Sequence, residues 1–418
     1  MFLVGVFLSG LYPVVAMSSF RPVTVLRGKL GKSAKGINLR KILVIFQFTV
    51  ALILITATVT VFQQISFMRD QDPGFNMEQT MVFKAPRVRD KTYPSKFDSF
   101  KETLLQRADI DNICHVTEVP GRQIYWDAGG IMKAGEDINQ SKNYQIVGID
   151  YDFAELFDLQ FVAGRNFSKE FPADNDALIL NETAIQWMGF KDAESAVGQQ
   201  VDYWGKIYTI VGVIKDYHQQ SLKEAFEPHI FRFLPYGRDV RGMIAVKMNI
   251  KDVKETVDQV KQKYDKFFPG NPIDHFFLDD YYDQQYQSDL QFGRVFSLFS
   301  ALAIIITALG IFGLSSFSVT QRIKEIGIRK VLGANVTKIL ILFSGDFLIL
   351  ILVAFSISLL PVIFGVNKWL ESFANRMALN GWLFVLPLVA VFVITILTIS
   401  SHAIKAAIAN PVKSLRYE

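Results

Sequence analysis

Four of the five histidines and a short acidic cluster are the side chains that could carry out chemistry in the part of the sequence without long apolar runs. They are His115, His218, His229 and His275, together with Asp279, Asp280 and Asp283. Imidazole and carboxylate groups bind metal ions or transfer protons when a short spacing brings several of them together. The sequence has no H-x-x-x-H or H-E-x-x-H pair and no G-x-S-x-G nucleophile elbow. We therefore expect structural or surface roles for these residues, and we predict no catalytic residue, no metal site and no cofactor.

Three other kinds of chemistry can be tested from motifs and composition. No G-x-x-x-x-G-K-[ST] phosphate loop occurs, so we expect that this chain does not hydrolyse ATP by itself. The single cysteine, Cys114, excludes an intramolecular disulfide and a cysteine-built metal site, and we expect it to be a small buried hydrophobe. The basic residues gather beside apolar segments and form no patch interleaved with aromatic side chains, so no nucleic-acid partner is predicted.

A charged segment, residues 320–338, joins two apolar runs that are each long enough to cross a bilayer. On a helical wheel Arg322, Glu325 and Arg329 fall on one face, and Glu325 precedes Arg329 by four residues, which is the favourable order for a helical ion pair. The pattern therefore predicts a short helix at a membrane surface. An ordinary basic loop on the cytoplasmic side fits the same pattern.

The end of this segment predicts a sharp corner in the chain. Gly333 can end the short helix in a left-handed conformation, because glycine has no side chain to clash there. Asn335 can then cap the helix that follows.

The string of residues in this segment resembles a family signature. Arg322, Glu325, Ile326, Gly327, Ile328, Arg329, Lys330, Leu332, Gly333 and Ala334 match R-x-x-E-I-G-I-R-[KR]-x-[LV]-G-A, which is similar to the signature of FtsX-like, MacB-type ABC transporter permeases. In that family the segment is the cytoplasmic coupling element that rests on the ATPase subunit. The resemblance implies an ATPase-coupling interface composed of Arg322, Glu325, Ile326, Gly327, Ile328, Arg329, Lys330 and Gly333.

Composition divides the chain between membrane and water. Of its 418 residues 50% are hydrophobic and 20% are charged, which is too apolar for one soluble domain and too polar for membrane helices throughout. Apolar stretches, turn signals and charge runs give the predicted domains. These are a partial membrane helix at 1–17, a cytoplasmic basic linker at 18–41, spanning helices at 42–63, 295–317, 339–365 and 382–404, a periplasmic domain at 67–291, a cytoplasmic coupling segment at 318–338 and a cytoplasmic tail at 405–418.

The distribution of basic residues predicts the orientation in the membrane. The linker 18–41 contains seven lysines and arginines and no acidic residue, which is typical of a cytoplasmic segment. The domain at 67–291 therefore lies on the opposite side of the membrane. Asp346 lies about two turns inside the third spanning helix, and we expect it to pair with a lysine or arginine near the cytoplasmic edge.

The N-terminal residues repeat a pattern from the C-terminus. Pro22 and Pro411 each begin the string P-V-x-x-L-R after an apolar segment. We interpret residues 1–27 as the tail of an upstream copy, which makes this chain the second half of a duplicated permease or a truncated product of one.

The periplasmic domain is predicted to be α+β. Two β-α-β units, with strands at 80–84 and 112–119 around a helix at 95–106 and strands at 243–248 and 275–278 around a helix at 253–267, predict a split, ferredoxin-like module. A β-rich insertion occupies about residues 121–235 between them. This arrangement resembles the MacB-type periplasmic core, a porter-like module interrupted by a second small module. The strings at 153–167 and 210–216 match that family's motifs.

The predicted fold is thus a membrane α-helical bundle with an α+β extracytoplasmic domain, built on four complete spanning helices, arranged one plus three, and a partial N-terminal one.

The resemblance implies a permease subunit of the bacterial inner membrane that couples ATP hydrolysis by a separate ATPase to movement of the periplasmic domain, for export or extraction of a substrate. Its implied partners are a cytoplasmic ABC ATPase subunit, a second permease copy in a dimer, membrane lipid, and a periplasmic adaptor or other periplasmic protein. The alternative is a signalling or scaffold protein whose periplasmic domain binds a ligand or regulates a cell-wall hydrolase. No side chain selects the substrate.

Overall fold

The structure is a computed structural model that describes residues 34–236, 242–249 and 253–408. The predicted partial helix at 1–17, the first part of the linker and the end of the tail lie outside the described residues, as do both P-V-x-x-L-R strings. The described chain forms two compact units. One contains residues 34–60, 294–366 and 379–408, and the other contains the remaining described residues, of which 367–378 comprise the end of one long helix and part of the loop after it.

Helices provide the framework of the first unit and cover parts of the second. The described helices are α1 (Ala34–Arg69), α2 (Tyr93–Leu105), α3 (Phe153–Leu156), α4 (Glu182–Met188), α5 (Ala193–Ala196), α6 (Val253–Phe267), α7 (Leu278–Gln284), α8 (Gln287–Gln321), α9 (Ile323–Val331), α10 (Val336–Leu370) and α11 (Trp382–Ile408). Short 3-10 turns lie at Ile138–Gln140 and Pro172–Asp176.

Four of the described helices, α1, α8, α10 and α11, are long and apolar enough to cross a membrane. The 35 residues of α8 give a rod of about 50 Å, whereas the hydrocarbon core of a bilayer is about 30 Å thick. The predicted spans at 42–63 and 295–317 are therefore the central parts of longer helices. Helix α1 begins at Ala34, inside the segment predicted as a linker, because residues 34–41 are mostly good helix formers.

The core of the first unit is apolar and closely packed. Its buried members include Val44, Phe48, Leu52, Ile311, Ile326, Phe343, Phe347, Ile351 and Ile399. A side-chain carbon added at Gly310 of α8 would lie 2.1 Å from Oε1 of Gln47 in α1. Glycine at this position therefore permits the close approach of α1 and α8.

The second unit contains one sheet of eleven described strands. They are β1 (Thr80–Lys84), β2 (Ile110–Val116), β3 (Asp127–Lys133), β4 (Lys142–Ile149), β5 (Phe161–Gly164), β6 (Ala177–Asn181), β7 (Gln200–Tyr203), β8 (Lys206–Ile214), β9 (His229–Phe233), β10 (Met243–Met248) and β11 (His275–Phe277). Strands β11, β1, β10 and β2 are neighbours in that order and all antiparallel. Helices α2 and α6 cover this part and bury Phe97, Phe100, Val260 and Tyr264 against it.

The two β-α-β units predicted from the sequence are present with shifted ends. Strand β2 spans Ile110–Val116 where 112–119 was predicted, and α2 spans Tyr93–Leu105 where 95–106 was predicted. The strand ends early because its last residue, Val116, pairs with Ile149 of β4, after which the chain turns away from β10.

The insertion between the two β-α-β units forms a closed ring of strands. Going around the ring, β4, β3, β7, β8, β6 and β9 are each hydrogen-bonded to the next, and β9 pairs in parallel with β4. The ring encloses a second core that includes Ile131, Tyr144, Ile146, Leu180, Val213 and Ile230. The predicted β-rich insertion therefore has a core of its own, and ring closure leaves few free strand edges.

Candidate functional site

The charged segment forms the corner predicted from the sequence. Helix α8 ends at Gln321, and α9 spans Ile323–Val331 after one turn residue. Gly333 has φ 85°, and the N–H of Ala334 donates to the carbonyl of Arg329 at 2.9 Å. The left-handed end of the helix is confirmed, and its hydrogen bond is that of a Schellman motif.

The next helix is capped as the sequence predicted. Oδ1 of Asn335 accepts a hydrogen bond from the N–H of Thr337 at 2.9 Å, and α10 begins at Val336. The bond satisfies one of the free N–H groups at the start of α10. The direction in which the chain leaves the corner is therefore fixed by a glycine and an asparagine.

Two ion pairs organise the segment. The guanidinium of Arg329 donates to Oε1 of Glu325 from Nε at 3.1 Å and from Nη2 at 2.8 Å, which confirms the helical pair. Nη2 of Arg322 lies 2.9 Å from Oδ2 of Asp346 in α10, which confirms the expected partner for the acid within the spanning helix. The second pair connects the start of α9 to α10.

Helix α9 has one buried side and one exposed side. Ile326 is only 3% exposed and packs with Phe343 and Phe347 in the core of the first unit. Gly327 is also buried. These two residues of the predicted interface face this chain's own bundle, so they position α9 and do not present atoms to a partner.

The exposed side carries a stripe at helical spacing. Glu325, Ile328, Arg329 and Leu332 follow one another at intervals of three, one and three residues, and we call them the outer face of α9. Ile328 is 53% exposed and Leu332 is 80% exposed. Leu332 belongs to the motif but not to the predicted interface, although its spacing of four residues from Ile328 places the two side chains on one side of the helix. The side chain of Lys330 lies outside the described residues.

The outer face combines apolar and charged side chains and has no group arranged for catalysis. Two apolar side chains stand beside an ion pair whose members are 42% and 50% exposed. An apolar pair that is rimmed by charge is typical of a surface that docks on another protein.

The histidines and acids of the second unit have structural surroundings. His115 and His229 are buried, and none of their ring nitrogens has a hydrogen-bond partner among the described residues. Burial lowers the pKa of each ring to about 3. Asp283 lies 3.1 Å from Nη2 of Arg69. A search of the described residues finds no group of three His, Cys, Asp or Glu that could hold a metal ion.

Two family descriptions match the chain. The family described as MacB-like periplasmic core domain matches residues 44–263, which is more than half of the 418 residues. The family described as FtsX-like permease C-terminal matches residues 297–411, which include α9 and its outer face.

Curated relatives and a solved structure are similar to this chain over 53% to 66% of its length. The uncharacterized ABC transporter permease YvrN of Bacillus subtilis is 24% identical over 290 residues, which cover 66% of this chain and 70% of the relative. The macrolide export ATP-binding/permease protein MacB of Photorhabdus laumondii is 22% identical over 257 residues, which cover 59% of this chain and 38% of the relative. The periplasmic region of MacB from Actinobacillus actinomycetemcomitans has a TM-score of 0.37 at 14% identity, covering 53% of this chain and 98% of that one.

The two family matches cover different parts of the molecule. The periplasmic core match includes ten of the eleven described strands, β1 to β10, and the permease match includes most of α8 and all of α9, α10 and α11. Together with the four long apolar helices, they make the chain a multi-pass protein of the inner membrane with a domain in the periplasm. This chain belongs to the family of ABC transporter permeases that combine a MacB-like periplasmic core domain with an FtsX-like permease region.

Proposed function

We propose that this permease couples ATP hydrolysis by a separate ATPase subunit to movement of its periplasmic domain, and so exports or extracts a substrate. The outer face of α9 is the observation that carries the proposal. Family membership implies an ATPase partner, and the outer face supplies a surface of the right chemistry for docking it. In this proposal the chain itself hydrolyses no ATP.

The exposed leucine and isoleucine give the docking energy. Burying a leucine or isoleucine side chain completely contributes about 1.5–3 kcal/mol, and Leu332 is 80% exposed in this chain. The Glu325–Arg329 pair lies beside them and would orient the partner, because charges at an interface rim favour one arrangement over others.

The inner side of α9 can pass a displacement on to the bundle. Ile326 is packed in the apolar core, and the Arg322–Asp346 pair ties the start of α9 to α10. A push on the outer face would therefore act on α10 directly, since close-packed interiors transmit strain.

The hydrogen bonds of hydroxyl groups in the spanning helices favour a mechanical role for these helices over a role in lining a path for a hydrophilic substrate. Thr56, Thr60 and Thr395 each donate to the carbonyl four residues earlier in the same helix. Thr58 and Ser300 bond each other at 2.9 Å. The hydroxyl protons of these groups are used by the local backbone or by a neighbouring hydroxyl, which favours a structural role for them over a role in binding a polar substrate.

The finer sequence predictions belong to this proposal. They are the domain boundaries, the porter-like character of the split β-α-β module, the dimer with a second permease copy, and the contacts with lipid and with a periplasmic adaptor or other periplasmic protein. The alternative, a signalling or scaffold protein, requires no ATPase, so co-purification of an ATPase separates the two.

Leu332→Ala tests the outer face, with Leu360→Ala as its matched control. Both leucines are 80% exposed, but Leu360 lies in the spanning part of α10. We expect Leu332→Ala to weaken binding of the ATPase about tenfold, because it removes about 1–2 kcal/mol of apolar burial. Binding is measured by titrating the ATPase onto the permease in nanodiscs. Unchanged binding by the Leu332 variant at normal expression would refute docking on this face.

A further inference from the structure

The last turn of α10 and the loop that follows it, residues 367–378, are held firmly within the second unit, and we call them loop 367–378. Phe373 is 3% exposed. Gln64 of α1 is completely buried and uses both ends of its amide on this loop. Its Nε2 donates to the carbonyl of Asn375 at 2.8 Å, and its Oε1 accepts from the N–H of Met377 at 2.9 Å. One side chain therefore fixes the backbone of the loop in both position and direction.

The same loop is bonded to a second segment, residues 218–223, which follows β8. Nδ2 of Asn375 donates to the carbonyl of Leu222 at 3.2 Å and lies 3.2 Å from Nε2 of His218. The N–H of Ala374 donates to the carbonyl of Lys223 at 2.9 Å. We call these contacts, with those of Gln64, the clasp.

The ammonium group of Lys223 strengthens the clasp from the side. Its Nζ lies 3.3 Å from Oδ1 of Asp289 and 4.9 Å from the centre of the Phe373 ring. Asp289 belongs to the first turn of α8. A cation between a carboxylate and an aromatic ring that are both well buried is held more tightly than a surface ion pair.

Segment 218–223 is bonded in turn to the loop that follows β2. Nε2 of Gln219 donates to the carbonyls of Val119 and Arg122 at 2.9 and 2.8 Å, and the carbonyl of Gln219 accepts from the N–H of Gly121 at 2.7 Å. A continuous series of buried or partly buried hydrogen bonds thus runs from loop 367–378 through segment 218–223 to the loop that follows β2.

We propose that the clasp is an input by which displacement of α10 and α11 reaches the periplasmic domain, with Gln64 and Asn375 as its positioning residues. Loop 367–378 contains the end of α10 and most of the covalent connection from α10 to α11, so a shift of either helix moves the loop. Because the hydrogen bonds are directional and at least partly shielded from water, the loop cannot slide past segment 218–223 without breaking them. The structural part of the proposal is independent of the proposed function, and its mechanical role rests on that function.

Hydrogen exchange of the full chain in nanodiscs tests the structural part, with Gln64→Leu as the variant and Gln63→Leu as its matched control. Gln63 is the exposed neighbour in the same helix. We expect Gln64→Leu to speed exchange at Met377 and Ala374 by about tenfold or more, as expected when buried hydrogen bonds are lost. Exchange at Leu222 and Gly121 should rise with it. Faster exchange confined to Met377, or equal changes in both variants, would overturn the proposal.

A fluorophore reports the mechanical role. It is attached to Ala225→Cys, at an exposed residue next to segment 218–223, in a Cys114→Ala background. With the ATPase bound, we expect ATP to change the fluorescence in the parent and in Gln63→Leu, and to change it severalfold less in Gln64→Leu at an unchanged hydrolysis rate. An equal response in Gln64→Leu would refute the clasp as an input. Failure of the parent to bind the ATPase would instead refute the proposed function and leave hydrogen exchange to decide the clasp.

Discussion

Acid should loosen the ring of strands in the periplasmic domain, because it favours protonation of His229. The imidazole lies with its centre 5.8 Å from that of Tyr217 and 6.2 Å from that of Phe231. Neither ring nitrogen has a hydrogen-bond partner among the described residues. Burial in these apolar surroundings lowers the pKa of His229 from 6.5 to about 3, because the charged imidazolium would lose its hydration. The imidazole of His229 must therefore become exposed to water before it takes up a proton.

The sign and size of the effect follow from the two pKa values. Between pH 6.5 and pH 3 the opened state binds a proton at His229 and the folded state does not, so stability falls as the pH falls. Each pKa unit corresponds to about 1.4 kcal/mol of free energy. Between the unperturbed pKa of 6.5 and pH 5.0, the free energy of opening therefore falls by about 2 kcal/mol. His229→Phe keeps a planar ring and removes the proton site. Between pH 7.0 and pH 5.0 the free energy of opening should therefore fall by about 2 kcal/mol less in this variant than in the parent.

Native-state hydrogen exchange of the β9 amides, corrected for intrinsic exchange rates, measures this free energy of opening at both pH values. The comparison has to be between parent and variant, because burial raises the pKa of Glu118 to about 7 and its protonation favours the folded state over the same range. His275→Phe is the control, since this ring is partly exposed and its pKa is lowered less strongly. An identical pH dependence in the parent and in His229→Phe would show that the buried ring does not oppose protonation.

Two further predictions concern the membrane unit. Gly310→Leu should lower the thermal stability of the detergent-solubilised chain by about 1–3 kcal/mol, because the new side chain would collide with Gln47, whereas Gly313→Leu enters open space and should change little; similar losses in both would contradict the close approach. Arg322→Asp and Asp346→Arg should each lower the ATP-driven transport turnover of the assembled permease and ATPase. The abundance of the permease should change little, since a half-exposed pair contributes about 0.5–1 kcal/mol to stability. The double exchange should restore turnover, and a double variant as inactive as either single one would show that the pair does not position α9.

Features that depend on residues close together in the chain could be predicted from the amino-acid sequence alone. Apolar runs of sufficient length give the spanning helices, because a helix in lipid satisfies its own backbone. The corner after α9 follows from Gly333 and Asn335, and the Glu325–Arg329 pair follows from a spacing of four residues. The two β-α-β units could also be predicted, since each combines strand and helix periodicity within a short stretch.

Tertiary structure decided everything that depends on residues far apart in the chain. The motif does not show that Ile326 is buried and Leu332 exposed, because both are apolar and the bundle chooses which one it covers. The ring of strands closes through the parallel pairing of β4 with β9, for which no local pattern exists. Gln64 and Asn375 are 311 positions apart, and nothing in either surrounding sequence predicts their hydrogen bond. Such contacts form only when the packing of whole elements brings separate polar groups together and excludes water from them.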